Sequence, residues 1–334
     1  MKKVLIVVMA VLLAAACALT GCSAQPDTPP DGSQAAAGTA AAEGPAASGG
    51  TDGGFKIAFC AEQMANPYIK KLADNLEKYA DEAGYELTVY DAEQTIEKQL
   101  SHIDTCIAQG INAIILLPVD AEGLVPGVAE ANKAGIPVIC IANSVAGGDY
   151  TMVGSDQKVA GKMQAEYLAE KLPENAKVLY MRGIEGLQVT QDRFNGFRDE
   201  FAALRPDAEI IADQSAEFAR PEAMQLMEDW IQSFPDFNAV VAANDDMALG
   251  AKDALKSANR LDGVSVCGVD ALDETLLAIK DGEVALTILQ DAAGQSLQAI
   301  KVCTMIQEGK TPEKEYMVPF KAISADNVAD FIVE

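Results

Sequence analysis

The chain has 334 residues, 49 % of them apolar, with 25 basic against 50 acidic side chains and a single histidine. That length accommodates two domains with substantial cores. A net charge of −25 repels nucleic acid and anionic lipid and argues against both as partners.

The chain opens with Lys2 and Lys3 ahead of the apolar run "VLIVVMAVLLAAACALTGC", the charged-then-apolar order of an export signal. Its end, "LTGC" from Leu19 to Cys22, resembles a bacterial lipobox, which implies cleavage before Cys22 and lipidation of that cysteine. An ordinary signal peptide or an uncleaved anchor is the competing reading. Residues 23–54 contain no Val, Ile, Leu, Met or aromatic side chain, so they cannot bury enough apolar surface to offset their chain entropy. As a flexible segment they span roughly 30 Å root-mean-square. We therefore expect a signal peptide over 1–21, a lipidated cysteine and disordered tether over 22–54, and a protein exported and lipid-anchored on the outer face of the bacterial cytoplasmic membrane. Loss of Lys2 and Lys3 leaves 23 basic against 50 acidic residues, a net charge of −27.

From Phe55 onward strand-like runs alternate with amphipathic segments. "FKIAFCA", "YELTVYDA", "NAIILLPVD" and "IPVICIAN" are four apolar strands, and "AKVLYMRG", "AEIIADQ", "NAVVAAND", "GVSVCGVD" and "VALTILQ" are five more. Continuous β-branched runs separated by helices predict parallel sheets covered on both faces. The segment from Asn112 can be laid beside the one from Asn238: both begin Asn-Ala, end a strand near an Asp, run through a helix carrying Ala-Asn and enter another strand. The predicted fold is α/β, with two similar Rossmann-like lobes. Parallel sheets bind ligands beyond the carboxyl ends of their strands, so two facing lobes place a ligand between them.

The chemistry-bearing motifs are few. His102 stands alone on a helical pattern, and no Cys-x-x-Cys pair, calcium loop, Gly-x-Ser-x-Gly elbow or Gly-rich phosphate loop is present, so neither a metal, a cofactor nor an enzymatic activity is expected. Cys60, Cys106, Cys140, Cys267 and Cys303 each fall in an apolar pattern and fit no disulfide framework, which predicts buried free thiols. In "VVAANDDMALGAKDAL" a strand runs into Asn244, Asp245 and Asp246 at the start of a helix. Acids are favoured there by unpaired N–H groups and the helix dipole, so both aspartates are expected to cap. Asn244 can donate and accept, as a sugar hydroxyl does. Asn143, Asp270 and Gln290 end other strands in the same way, and four such groups point to a neutral polyhydroxylated ligand. Tyr68 and Phe218 could offer apolar faces to sugar C–H bonds or serve as core; the helical spacing around Trp230 marks it as packing.

At this point the chain resembles a type I periplasmic sugar-binding protein, the ribose-binding-like group serving ABC transporters. The resemblance is carried by "NPY", "AGIPVI", "VGSDQKVAGKMQAEYLAEKL", "DRFNGF", "NDDMALGAKDAL" and "VCGVDALDE", in that order from Phe55 to the end. It implies a three-segment hinge near Ser155, Gln290 and Pro319, with lobes over 55–155 plus 291–318 and over 156–290 plus 319–334. It also implies sugar contacts at Asn66, Tyr68, Arg193, Phe218, Asn244, Asp270 and Gln290, a monomeric receptor and a membrane permease as partner. Arg193 would present a fork of donors to ring and hydroxyl oxygens, and Asp270 would accept two hydroxyl protons.

Departures from the ribose pattern cluster in the first lobe. An Asp-Arg pair is replaced by Ala142 and Asn143, an Asn by Leu117, an aromatic by Ile69; in the second lobe an aromatic gives way to Val269. Ribose itself is thereby disfavoured within the monosaccharides and cyclic polyols. Glu62, just past the first strand, faces the expected cleft and with Asp270 could favour an amine-bearing sugar or inositol derivative. The competing reading is a nucleoside- or signalling-molecule receptor of the same fold, which the scarcity of aromatics counts against.

Overall fold

The structure, a computed structural model, describes residues 54–332; the expected signal peptide, Cys22 and all but the last residue of the expected tether lie outside them. Within the described chain, two six-stranded sheets form. The first is built from β1 (Lys56–Ala61), β2 (Glu86–Asp91), β3 (Ala113–Leu116), β4 (Val138–Ile141), β5 (Thr151–Gly154) and β11 (Glu315–Met317), in the order β11-β5-β4-β3-β1-β2. The second is built from β6 (Lys177–Arg182), β7 (Glu209–Ser215), β8 (Ala239–Ala242), β9 (Ser265–Val269), β10 (Leu286–Leu289) and β12 (Lys321–Ser324), in the order β12-β10-β9-β8-β6-β7. All pairings are parallel except that of β12 with β10. The central strands β3, β4 and β8 are buried at every position, which is why they are continuously apolar instead of alternating.

Helices cover both faces. In the first lobe these are α1 (Pro67–Ala83), α2 (Ile96–Gln109), α3 (Val125–Lys133) and α9 (Ala292–Gln307); in the second, α4 (Gln157–Lys171), α5 (Gln188–Leu204), α6 (Arg220–Ser233), α7 (Asp245–Ser257) and α8 (Asp273–Lys280). Trp230 packs into the core of the second lobe and the five cysteines among the described residues are buried and free, both as the sequence pattern implies. Among the described residues no helix is long and apolar enough to cross a membrane.

The repeated Asn-Ala pair has the same function in each lobe. Asn112 Oδ1 accepts from Lys56 N at 2.7 Å, and Asn238 Oδ1 accepts from Lys177 N at 2.9 Å. Each asparagine thus fixes the entry of its lobe's third strand against the first, setting the register of the central pair. That pair is where strand order reverses in each sheet, the usual location of a ligand site in an open α/β fold.

The chain passes between sheets three times: from β5 to α4, from β10 to α9 and from β11 to β12. These crossings are bonded to one another. Ser155 Oγ donates to Val318 O at 2.6 Å, Val318 N donates to Gly154 O at 2.7 Å, and Gln295 Nε2 donates to Ser155 Oγ at 3.1 Å. Tyr68 Oη extends the chain of contacts by donating to Gln295 Oε1 at 2.8 Å.

Candidate functional site

Each lobe brings its strand ends to one cavity of about 400 Å³ of atom-free space, part of it open to solvent. The first lobe contributes Glu62 beyond β1, Asn66, Tyr68 and Ile69 at the start of α1, Leu117 beyond β3, and Ala142 and Asn143 beyond β4. The second contributes Val189 and Arg193 from α5, Phe218 beyond β7, Asn244 beyond β8, Asp270 beyond β9 and Gln290 beyond β10. All nine residues singled out from the sequence as ligand contacts are therefore in one place. Val189 is an addition: an apolar helical residue that no sequence signal distinguishes from core.

Local chemistry explains how these side chains are held. Asn66 caps α1, its Oδ1 accepting from Tyr68 N at 2.9 Å and from Ile69 N at 3.3 Å; Pro67 follows at the first helical position, where its missing N–H costs nothing. The cap swings the first turn of α1 over the end of β1. Ala142, Phe218 and Asp270 all have positive φ, of 63°, 57° and 127°. Holding a side-chain-bearing residue there costs on the order of 1–3 kcal/mol each, and three of the cavity-lining positions bear it.

Asn244 corrects the expectation drawn from its neighbours. The sequence pattern predicts caps at Asp245 and Asp246; instead Asn244 is the cap of α7, its Oδ1 accepting from Met247 N at 3.0 Å while its Nδ2 donates to Phe218 O at 3.2 Å. An asparagine in extended backbone before a helix is geometrically the better cap, because its short amide reaches back to the third N–H. Asp245 is fully buried and ties neighbouring elements together: Thr287 Oγ1 donates to it at 2.7 Å and Leu272 N at 2.8 Å. Burial pushes its carboxyl up to about 6, against the lowering effect of those donors. Asp246 pairs with Arg220 at 3.1 Å, and Arg220 in turn with Glu274 at 2.8 Å.

Arg193 is the centre of the polar wall. Its Nε donates to Gln157 Oε1 at 2.9 Å, its Nη1 to Ala243 O and its Nη2 to Gln290 Oε1. Three of five N–H groups are thus committed to the protein, leaving two for a ligand. Gln157 was not anticipated; it is a buried polar residue in the first turn of α4, and its role is visible only once α4 and α5 are in contact. Burial lowers the Arg193 guanidinium from its usual value, while Asp270 opposes the shift. Burial likewise holds the Asp270 carboxyl well above the usual range, against the lowering effect of Arg193.

The first-lobe wall is more apolar: Ile69, Leu117 and Ala142, three of the positions at which the sequence departs from the ribose pattern, face the cavity, as does Asn143, while Val269 is not part of its lining. Glu62 stands apart there, 5 % exposed, with its carboxyl raised to about 8 by burial alone. His102 lies elsewhere, on α2, stacked on Tyr90 with ring centroids 4.9 Å apart. Among the described residues no group of three or more metal-ligating side chains is assembled.

The periplasmic binding protein domain matches residues 57–311. The chain belongs to the periplasmic binding protein family. It is 32 % identical to the ribose import binding protein of Salmonella typhimurium over 268 residues, which is 80 % of this chain and 90 % of that one. It is also 32 % identical to the xylitol-binding protein of Mycolicibacterium smegmatis over 263 residues, 78 % of this chain and 75 % of the relative. An ABC transporter solute-binding protein from Bacillus halodurans, solved with myo-inositol bound, superposes with a TM-score of 0.80 at 30 % identity, covering 85 % of this chain and 99 % of that one. The fold is the type I, ribose-binding-like form of the family, and the chain is a solute-binding protein, not an enzyme.

Proposed function

We propose that the chain captures a monosaccharide or cyclic polyol between its two lobes and delivers it to the permease of an ABC transporter. The observation that carries this reading is the convergence of Asn143, Asn244, Asp270 and Gln290, from four strand ends, with Arg193 on one cavity. Amides, a guanidinium and a carboxyl offer both donors and acceptors, which is what a ring of hydroxyl groups requires. Relatives that bind ribose and xylitol, and a structural neighbour holding myo-inositol, support a polyhydroxylated ligand. Ribose itself is disfavoured, because Leu117 and Ala142 withdraw polar groups and Ile69 an aromatic face from the first-lobe wall. Asn66, Tyr68 and Phe218 are assigned to the rim and apolar faces of the same ligand.

In this mechanism the lobes open and close about the crossings near Ser155, Gln290 and Pro319. A ligand touching both walls binds better to the closed form and shifts the population toward it; the permease then reads the closed shape. Lipidation at Cys22 would hold this monomeric receptor beside its permease, with residues 23–54 as the tether. Thermal unfolding against pentoses, hexoses, inositols and nucleosides tests the reading. A polyol at 100 times its Kd should stabilise the protein by about 2.7 kcal/mol; a response to nucleosides alone would replace the polyol with a nucleoside.

A further inference from the structure

One ionisable group on the cavity wall is not needed to hold a neutral polyol. Glu62 sits just beyond β1, nearly sealed from solvent, and lines the cavity. Its carboxyl has neither a hydrogen-bond partner nor a charged neighbour acting on it; burial is the sole influence on its titration. The other first-lobe residues lining the cavity are Asn66, Tyr68, Ile69, Leu117, Ala142 and Asn143, none of them charged at neutral pH. Across the cavity stand Arg193 and Asp270, and the guanidinium there is already committed to Gln157, Ala243 and Gln290 and faces Asp270. The wall therefore holds two carboxyls and one cation, and the unmatched carboxyl is Glu62.

An amide would serve a sugar hydroxyl at that position without the cost of desolvating a carboxylate, as Asn143, Asn244 and Gln290 do elsewhere on the wall. Buried and unpaired, the Glu62 carboxyl holds its proton, and its ionised form becomes favourable only when a cation arrives to pair with it. We propose that the ligand carries a basic nitrogen: a sugar or cyclitol with one hydroxyl replaced by an ammonium group, which pairs with Glu62. This rests on the polyol reading above and names the ligand class within it. The ammonium brings three donors and the missing charge, and a charge-assisted contact of this kind is stronger than its neutral counterpart.

The test is calorimetric titration of the full-length protein in detergent with matched pairs: D-glucose and D-glucosamine, D-galactose and D-galactosamine, myo-inositol and its monoamino-deoxy analogues. The expected result is a preference of about tenfold or more for the ammonium member of the bound pair. Glu62→Gln should remove that preference, bringing the affinities of the two members of the pair together. Should Glu62→Gln fail to fold, the wild-type protein supplies the second readout. Glu62 is protonated in the free protein below about pH 8, so pairing with an ammonium must expel its proton. The ratio of amine to neutral affinity should then rise about tenfold per pH unit between pH 5.5 and 7; taking the ratio cancels titration of Asp270, which both members meet.

Equal or better binding of the neutral member overturns the proposal and leaves the polyol reading intact. So does a preference that survives Glu62→Gln, or a ratio that is flat with pH. Binding of no member of any pair overturns the polyol reading and this inference with it.

Discussion

Replacing Arg193 by Lys keeps the positive charge and removes the fork, and the structure sets the size of the effect. The guanidinium reaches three acceptors on three elements: Gln157 at the start of α4, the carbonyl of Ala243 beyond β8 and Gln290 beyond β10. One ammonium at the end of a flexible stem cannot span them, so at least two acceptors lose their donor. Hydrogen bonds to charged groups contribute about 1.5–3 kcal/mol each, and water entering from the cavity recovers part of two such losses. We expect Arg193→Lys to destabilise the fold by about 2–4 kcal/mol and to weaken polyol binding by about 100- to 1,000-fold, since the two N–H groups left for ligand are lost or misplaced. Urea denaturation and calorimetric titration measure the two effects separately. A loss of under 1 kcal/mol with affinity within threefold would refute the reasoning. Lost stability with affinity intact would confine Arg193 to a structural role.

Other expectations follow from burial and close packing. Asp245 is raised from 3.8 to about 6 and Glu62 from 4.5 to about 8, so each contributes stability that is complete below its unfolded value and lost as pH rises through the folded one. Between pH 5 and 8 the ligand-free protein should lose at least about 4 kcal/mol in urea titrations, roughly 1–2 of it from Asp245, with Asp270, also held high by burial, adding loss in the same direction; a flat or rising profile would contradict these assignments. The lowered pKa of His102 works in the opposite direction, but only modestly for a half-buried ring. Gly161 on α4 faces the backbone of Arg193 and Phe197, and Gly196 on α5 faces Lys158 O, so a Cβ at either position meets main chain. Gly161→Ala should therefore cost about 1–3 kcal/mol and, by pushing α5, reduce polyol affinity as well; wild-type behaviour in both assays would refute the tight crossing.

The sheets were legible because burial on both faces forces unbroken apolar runs, as in "AIIL" of β3 and "AVVA" of β8. Three strands were not. β5, β11 and β12 have three or four residues and are partly exposed, and a pattern that short cannot be separated from loop. The candidate wall was legible at the polar strand ends, since a single polar residue closing an apolar run stands out. Positions that act through a neighbour did not stand out. Gln99 Nε2 donates to Cys60 O and Leu117 O, and Gln164 Nε2 donates to Ala242 O and Gly268 O, each bracing the strand ends of its own lobe. Only the fold shows which carbonyls those amides meet. The exchange of roles among Asn244, Asp245 and Asp246 has the same origin: composition identifies a helix start, while cap geometry decides which side chain reaches back.

The central claim is that ligand is held between the lobes and closes them. Small-angle scattering of the full-length protein in detergent, titrated with the polyol that gives the largest thermal shift, measures this directly. A radius of gyration that falls in step with saturation, and does not fall for Asp270→Ala, is the result this account predicts. Saturable binding with no change in dimensions, or the same compaction in Asp270→Ala, would contradict it.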